Sequence, residues 1–399
     1  MRFLPSAPPN IRFYPFANGG VLYIKGSRKI WALNSMAAFI WCLLDEVDII
    51  DEVASRLTTA FHIDYCEALR HTEATLACFE REGLFTNGPQ IGIKEQNDSW
   101  DITPTGPRLI EPTSWAIRRL FRTANHVFEF CCSDTALVAD FVGHISPLLL
   151  ENEAQSDTRL AILPGKIGTK TWDIFFNGLR FKEGLRENEV YPHVATLIFV
   201  RACEALQEKL LFHAAVLEKG GTAIVFPGEA GSGKTTLAAA LVLYGFRFFS
   251  DEIAALNVDN LSVSPLPLPM SIKPRSVKPL SKYYPGLAES PVHLRADGKK
   301  VRYLSPPPQS LEGIFEVSAV VNCFVFPKYK KGAENSLNEL DKFKAMQLLA
   351  KTGSSNRDIT ERDVEAMITL VEKNPCYEIV YSDLSKAISL LENLCFQGG

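Results

Sequence analysis

The sequence lacks the residue spacings that mark disulfide frameworks and zinc sites. Its nine cysteines include one adjacent pair, Cys131-Cys132, but no C-x-x-C pattern, and its seven histidines form no H-E-x-x-H pattern. Cysteine is among the residue types most often buried. An odd cysteine count, apolar neighbours and an amino terminus without an apolar leader therefore predict reduced, mostly buried thiols in a cytoplasmic protein.

A strong net charge and long apolar runs are also missing. The 42 Lys and Arg residues nearly balance the 46 Asp and Glu residues, which gives a formal net charge of −4 and no global basic field of the kind that nucleic acid requires. No apolar run is long enough to cross a bilayer. We therefore expect neither a nucleic acid nor a membrane partner, and a length of 399 residues favours two domains.

What the sequence does contain begins with a short α+β pattern. Residues 11–33 read as two or three strands. Asn34 can cap a first helix, a second follows, and Asp64 can cap a third that ends at Gly83. This order predicts a winged-helix-like unit over residues 1–88.

A Pro- and Gly-containing stretch over residues 89–115 is typical of a linker, and a larger domain is predicted over residues 116–399. Its early part contains strand patterns at 127–131 and 171–176, and a long apolar helical pattern at 191–211.

The most specific motif is a Walker A sequence that begins at Gly228. An apolar strand over residues 222–226 precedes it, and an Ala-rich helix ending at Gly245 follows it, which is the order that a phosphate-binding loop requires. A glycine-rich turn without a ligand is the alternative. The residues predicted to contact a nucleotide are Gly228, Glu229, Ala230, Gly231, Ser232, Gly233, Lys234, Thr235 and Thr236.

Residues near this motif predict phosphoryl transfer. Lys234 supplies charge at the β- and γ-phosphates, and Thr235 supplies a hydroxyl to Mg²⁺. The next strand ends in Asp251-Glu252, and a βαβ crossover would set that strand parallel to the motif strand, with both carboxylates beside the phosphates. We predict Asp251 as the base that accepts the hydroxyl proton, and Thr235, Asp251 and Glu252 as metal ligands. Solvated turn formers are the alternative for the two carboxylates.

His213 is the second predicted neighbour. Lys219-Gly220-Gly221 is a tight-turn sequence, and a hairpin closed by it would place His213 opposite Phe226, where the ring could orient Asp251 or tune its pKa. A purely structural histidine is the alternative.

Basic residues farther along the chain are candidates for substrate contact. We select Lys273 and Arg302, either of which could hold an acidic group or the phosphate in transfer. Solvated loop residues are the alternative.

The N-terminal segments resemble the PqqD-like family of peptide-recognition domains. The resemblance rests on Leu33-Asn34, Ile40-Trp41, the Asp51-Glu52-Val53-Ala54 segment and Glu82-Gly83-Leu84, and it covers roughly residues 10–86. It implies that the leader of a ribosomally made precursor peptide binds as a strand beside the third strand and against the last helix. A winged-helix unit used only for packing or dimer contacts is the alternative.

The segments around His213, the Walker A motif and Ser250-Asp251-Glu252 are similar to the core of the HPr kinase family. The resemblance implies that Asp251 is the base and proton shuttle, that Glu252 is its acidic neighbour, and that His213 is paired with the aspartate. It also implies a homo-oligomer. Bifunctional members have two aspartates where this chain has Asp251-Glu252, a difference that argues against a reverse phosphorylase reaction.

Taken together, the expected fold is an α/β P-loop kinase domain of the HPr kinase type, preceded by a small α+β winged-helix-like PqqD domain. The expected activity is transfer of the γ-phosphate of ATP, with Mg²⁺, to a Ser or Thr hydroxyl of a ribosomally made peptide or protein. GTP stays open as a donor. The alternatives are a kinase for a sugar or amino acid, and a nucleotide-gated recognition module without transfer.

Overall fold

A computed structural model describes residues 4–5, 7–85, 102–104, 106–353 and 357–396. The chain divides into two compact units. The first combines Met1–Ser99 with Glu339–Cys376, and the second combines Trp100–Asn338 with Tyr377–Gly399. Each unit is therefore assembled from two separate stretches of sequence.

Strands and helices alternate irregularly along the described residues. The strands are β1 (Ile11–Phe16), β2 (Gly19–Ile24), β3 (Ile30–Leu33), β4 (Ile117–Thr123), β5 (His126–Cys132), β6 (Thr158–Pro164), β7 (Trp172–Phe176), β8 (Leu179–Leu185), β9 (Leu210–Lys219), β10 (Thr222–Pro227), β11 (Arg247–Ser250), β12 (Ile253–Asn257), β13 (Ser262–Ser264), β14 (Met270–Ile272), β15 (His293–Leu294), β16 (Lys300–Leu304), β17 (Ala319–Tyr329), β18 (Ser336–Glu339) and β19 (Cys376–Tyr381). The helices are α1 (Ser35–Leu43), α2 (Ile50–Phe61), α3 (Tyr65–Arg81), α4 (Thr135–Ile145), α5 (Glu187–Glu204), α6 (Lys234–Leu241), α7 (Pro274–Leu280), α8 (Lys342–Ala350), α9 (Glu361–Lys373) and α10 (Leu384–Phe396).

The first unit begins with an antiparallel sheet, β1-β2-β3, followed by α1, α2 and α3. Leu22 of β2 shares one apolar core with these three helices. The side chain of Asn34 accepts the backbone N–H of Ala37 at 2.8 Å, and that of Asp64 accepts the N–H of Glu67 at 3.0 Å. The predicted order of strands and helices, with these two N-caps, is confirmed.

A later part of the chain covers the opposite face of this sheet. Val21 and Tyr23 flank the core residue Leu22, so they point to the other face, yet both are buried. There α8 packs against β3, and the Tyr23 hydroxyl donates to the carbonyl oxygen of Ile359 at 2.7 Å. The sequence-based boundaries assign Glu339–Cys376 to the second domain, whereas these residues fold with the first. Local patterns do not reveal that an apolar sheet face is covered by a segment so distant in sequence.

Part of the predicted linker lies outside the described residues, namely 89–101 and 105. The stretch that follows runs along the β7–β8 hairpin. The backbone N–H of Gly106 donates to the carbonyl of Arg180 at 3.0 Å, and that of Leu109 donates to the carbonyl of Gly178 at 2.7 Å. Residues 106–109 are therefore part of the second unit rather than a connection.

The first sheet of the second unit has the order β4-β5-β6-β7-β8, in which the β5–β6 pair alone is parallel. The predicted strands at 127–131 and 171–176 are confirmed as β5 and β7. The predicted helix at 191–211 is too long, since α5 ends at Glu204 and β9 begins at Leu210. A continuous apolar run hides this change from helix to strand.

The second sheet of this unit is organised around β9. One side of β9 pairs antiparallel with β10, and the other side pairs antiparallel with β11 and β12. Because β10 and β11 both run opposite to β9, they run in the same direction, as predicted. They are not neighbours, however, since β9 lies between them.

The β9–β10 turn sets the position of His213. Gly220 and Gly221 occupy the two central positions with φ of 63° and 87°, a conformation that favours glycine at both. This short turn puts His213 opposite Gly228, whose backbone N–H points to the carbonyl of His213 at 3.5 Å. The prediction that His213 lies opposite Phe226 is therefore wrong by two residues, because Phe226 pairs with Ala215.

A third, smaller sheet of the second unit has the order β14-β16-β15. Ile272 of β14 pairs with Arg302 of β16, and Leu294 of β15 pairs with Lys300. The last residue of β14 and the β15–β16 turn therefore lie at the same end of this sheet, although β14 and β15 are its two outer strands.

Two predictions drawn from composition can be compared with these units. The described cysteines form no disulfide with one another, and most of them are buried, as expected: Cys131, Cys132, Cys203, Cys323 and Cys376. In the part of the chain that the structure describes, no helix has the length and apolarity needed to cross a bilayer.

Candidate functional site

The glycine-rich motif forms the loop between β10 and α6, and α6 begins at Lys234. Gly231 and Gly233 have φ of 98° and 105°, in the left-handed region where glycine is favoured. The space beside Gly233 is already filled, since a Cβ there would lie 2.0 Å from the hydroxyl oxygen of Tyr381. That hydroxyl donates to the carbonyl of Gly233 at 3.0 Å. The loop backbone is thus held from outside the motif.

Most of the predicted nucleotide contacts lie along one pocket of the second unit. Two other motif residues, Gly228 and Glu229, present their carbonyls to Lys234 instead. The buried Oγ of Ser232 has no hydrogen-bond partner within the described residues, and a loop with such an unsatisfied hydroxyl fits a ligand rich in oxygen atoms. The motif residues that line the pocket are Ala230, Gly231, Gly233, Lys234, Thr235 and Thr236.

Lys234 is buried, with 5% of its surface exposed. Its Nζ donates to the carbonyl of Gly228 and, at 3.2 Å, to that of Glu229. Burial lowers the pKa of Lys234 to about 8, although the charges of Glu252 and Asp251 act in the opposite direction. A desolvated ammonium group held by neutral carbonyls is stabilised by an arriving anion.

Asp251 follows β11 and is 8% exposed. Burial, followed by the charge of Glu252, raises the pKa of Asp251 to about 7, and the nearby Thr235 side chain and the charge of Lys234 only partly offset this. A general base works best with a pKa near the working pH. The arrangement suits the base predicted here, whose catalytic role remains a prediction.

Glu252 and His213 form a second pair beside Asp251. The Nδ1 of His213 lies 3.5 Å from the Oε1 of Glu252, and β12 pairing puts Ile253 opposite His213. The carboxylate that His213 contacts is therefore that of Glu252, and not that of Asp251 as predicted. Burial lowers the pKa of His213, and the charges of Lys234 and Lys273 act in the same direction, against that of Glu252.

The two predicted substrate residues differ in their positions. Lys273, directly after β14, lines the pocket. Arg302 does not line it, because its Nε donates to the carbonyl of Ser290 at 3.1 Å and its Nη2 donates to that of Ala288 at 2.9 Å. Arg302 thus stabilises the backbone of a neighbouring turn.

Among the further pocket residues that the sequence did not single out are Arg275, Arg295, Lys299 and Tyr381. Arg275 and Lys299 stand in the same basic segments as the two predicted residues, so a local signal existed for them. Tyr381 ends β19, nearly 150 residues after the motif, and nothing in its neighbourhood points to the loop.

The donor atoms at this site fit magnesium. Thr235 and Asp251 provide a hydroxyl and a carboxylate that lie near each other, and Glu252 follows Asp251 in the chain. Mg²⁺ takes oxygen ligands and is usually held by one or two carboxylates together with substrate phosphates. Within the described ranges, no group of three or more His, Cys, Asp or Glu side chains could hold a metal ion by itself. The protein donors therefore suit an ion that arrives with a phosphate ligand.

Comparisons with known proteins add information on part of the chain. No curated protein matches the sequence. Among solved structures, the HPr(Ser) kinase/phosphatase from Coxiella burnetii aligns at 12% identity and a TM-score of 0.22, covering 48% of this chain and 100% of that one. Residues 19–84 match the family model described as Coenzyme PQQ synthesis protein D (PqqD). The matched residues run from the start of β2 to just beyond the end of α3, and this segment is therefore similar to PqqD.

Proposed function

We propose that this chain is a kinase that transfers the γ-phosphate of ATP to a hydroxyl group of a peptide or protein. One observation carries the proposal: the carboxylate of Asp251 is buried beside Thr235 of the Walker A loop, and its pKa is raised to about 7. Phosphate binding alone does not require a carboxylate with a raised pKa at this position, whereas removal of a hydroxyl proton does.

Asp251 has the role of base in this proposal. It accepts the proton of the acceptor hydroxyl while the hydroxyl oxygen bonds to the γ-phosphorus and the bond from that phosphorus to the β–γ bridging oxygen breaks, which leaves ADP. Lys234 turns from the loop carbonyls to the phosphate oxygens, where its charge is better compensated. When bound, Mg²⁺ would neutralise phosphate charge, and Thr235 and Asp251, with Glu252 beside them, would hold it.

The PqqD-type domain supports a peptide or protein as the acceptor. The resemblance to this family implies binding of a leader peptide along the third strand. Here β3 is the last strand of its sheet, and the indole N–H of Trp31 donates to Glu82, just beyond α3, at 3.2 Å. We propose that a peptide adds to the open edge of β3, which provides backbone hydrogen bonds that are independent of peptide side chains.

The test of transfer uses the full-length protein, γ-labelled ATP with Mg²⁺, and a library of peptides that contain Ser or Thr. We expect label on peptide with the parent protein, and a loss of about 10²-fold or more with Asp251→Asn, since general base catalysis contributes that much. Nucleotide affinity, measured by calorimetry, should be retained. Glu153→Gln, at an exposed carboxylate in the same unit, is the matched control.

Three results would separate the alternatives. Parental transfer by Asp251→Asn would rule out this residue as the base. Nucleotide binding without transfer to any acceptor would favour a nucleotide-gated recognition module. Transfer to sugars or free amino acids, with unchanged KM when Trp31→Ala alters the β3 edge, would favour a small-molecule kinase.

A further inference from the structure

The small sheet β14-β16-β15 brings three cationic side chains to one edge of the pocket. Lys273 follows the end of β14, and Arg295 and Lys299 belong to the tight turn that joins β15 to β16. The turn is closed by backbone hydrogen bonds, from Arg295 N–H to the Lys299 carbonyl at 3.0 Å and from Gly298 N–H to the Arg295 carbonyl at 2.9 Å. Pairing of Ile272 with Arg302 sets the two ends side by side.

The pocket has more positive than negative charge. Five of its lining side chains are cationic, and Glu252 is the carboxylate among them. Asp297 is shared between Arg295, at 3.4 Å from Nε, and Lys299, at 2.8 Å from Nζ. The cationic lining residues are Lys234, Lys273, Arg275, Arg295 and Lys299.

The pKa of Lys273 reflects its burial and the positive charges that surround it. Its pKa is lowered by burial and by the positive charges of Arg275, Arg295 and Lys299, and the charge of Glu252 acts in the opposite direction. In the described part of the chain, the Lys273 ammonium makes no ion pair within 4.0 Å. Like charges gathered around an ammonium group that has no ion-pair partner destabilise the free protein, and an anion that binds there relieves their repulsion.

The cations divide into two groups by position. Arg275 lies against the glycine loop, since a Cβ on Gly231 would be 2.6 Å from its Nη2. Arg295 and Lys299 belong to the β15–β16 hairpin instead. We therefore assign Lys234 and Arg275 at the loop to the nucleotide, whose charge magnesium partly offsets, and the hairpin cations to another anion.

The hairpin is anchored at its base. The Nε2 of His293 lies 3.0 Å from the Oδ2 of Asp140, and the ring of Tyr303 stacks on that of Tyr191 with centroids 3.9 Å apart. His293 and Tyr303 are both buried. A turn fixed in this way presents its charges at a defined position, which lowers the entropic cost of binding. The Oγ of Ser271, on the neighbouring β14, is buried without a partner in the described residues and lines the same pocket.

We infer that Lys273, Arg295 and Lys299 form an acceptor-side anion site, so that the favoured acceptor carries a carboxylate or phosphate group close to its reacting hydroxyl. This inference rests on the proposed function, because it takes the other side of the pocket to be filled by a nucleotide. It narrows the acceptor to acidic or already phosphorylated segments.

Direct anion binding is the first test. The full-length protein is saturated with Mg²⁺ and a non-hydrolysable ATP analogue, and the affinities for succinate and for inorganic phosphate are measured by calorimetry. We expect at least one probe to bind, and the Arg295→Gln/Lys299→Gln double variant to bind it about tenfold or more weakly, which is the scale of one charge-assisted hydrogen bond. Succinate and phosphate distinguish the two sources of negative charge.

Control variants make the result specific. Lys300→Gln removes an exposed charge next to the turn that does not line the pocket, and it should leave the probe affinities unchanged. Arg275→Gln should weaken the binding of the ATP analogue more than the binding of succinate or phosphate. Absence of binding of both probes, or equal binding by the double variant, would overturn the inference.

A transfer assay separates this inference from the proposed function. Peptides with Asp or phosphoserine beside the acceptor Ser are compared with matched Asn peptides, and we expect the acidic preference to fall about tenfold or more in the double variant. Transfer that shows no acidic preference would overturn the anion site and leave the kinase intact. Anion binding without any transfer would contradict the kinase and leave the anion site intact.

Discussion

The sequence predicts the role of Asp251, whereas its environment depends on tertiary packing. Its position after an apolar strand behind the Walker A motif was enough to select it as a base. Its burial beside Thr235 and a pKa raised to about 7 are properties of packing that the sequence does not contain. The same packing has a thermodynamic consequence, because a group that resists ionisation in the folded state opposes folding once it is ionised.

Asp251→Asn should stabilise the protein at alkaline pH. A pKa raised in the folded state means that stability is full below the unfolded value of 3.8 and falls as the pH rises through about 7. The shift corresponds to at most about 4 kcal/mol, and the gain will be smaller because Asp251 also compensates the charge of Lys234. We expect Tm to be higher than that of the parent at pH 8 and equal at pH 4.

Thermal unfolding of both proteins at the two pH values checks this. Glu153→Gln, which removes an exposed carboxylate, should change Tm only slightly and by the same amount at both pH values. An Asn variant that is no more stable than the parent at pH 8 would mean that Asp251 carries no desolvation cost.

At the scale of elements, the site depends on contacts between segments far apart in sequence. The strand, loop and helix of the Walker A segment were predictable because glycine spacing and apolar runs are local signals. The register of His213 was missed because it depends on the count of residues in the Gly220-Gly221 turn. The role of β19 in the pocket depends on tertiary contacts and left no local signal. The basic segment with Lys299 was visible in the sequence, but its position at the pocket also depends on tertiary contacts.

Tyr381 is the element-scale contact that can be tested most directly. Tyr381→Phe removes the hydrogen bond to the carbonyl of Gly233 and keeps the ring beside the loop. A neutral hydrogen bond contributes about 1 kcal/mol, so we expect ATP affinity to fall about fivefold, with Tm little changed. Calorimetric titration of ATP with Mg²⁺ measures the effect.

Tyr329→Phe is the matched control for this prediction. Its ring lies 5.5 Å from that of Tyr381, and it is half exposed in the same pocket. The ATP affinity of the Tyr329→Phe variant should equal that of the parent protein. Equal losses of ATP affinity in the two variants would show that the hydrogen bond from Tyr381 to Gly233 has no specific effect on nucleotide binding.

At the scale of the whole molecule, the main departure from the sequence-based prediction is the composition of the first unit. The buried Val21, Tyr23 and Ile30 do not belong to the core formed with α1–α3, and Glu339–Cys376 supplies their cover. Full burial of such a side chain contributes about 1.5–3 kcal/mol. Three of them amount to a large part of the stability of a domain, which is about 5–15 kcal/mol.

A fragment comparison tests this composition. Residues 1–85 alone should bind a hydrophobic dye and melt without a cooperative transition, whereas the same residues joined by a flexible Gly-Ser linker to residues 339–376 should melt cooperatively. Substitution of the buried α8 residues Met346 and Leu349 by Asp in the joined fragment should abolish the cooperative transition. A cooperative transition at the same Tm in the short fragment would show that the sheet does not need this cover.

The split first unit also affects the order of events during synthesis. The residues that form the sheet leave the ribosome first, but α8 and α9 follow only after roughly 300 more residues, which takes on the order of 15–60 s at ordinary rates of translation. Throughout that interval, Val21, Tyr23 and Ile30 lack their cover, and the second unit is being made. The nascent chain therefore has an exposed apolar sheet face that chaperones can bind, and the first unit is completed only when most of the second has been synthesised.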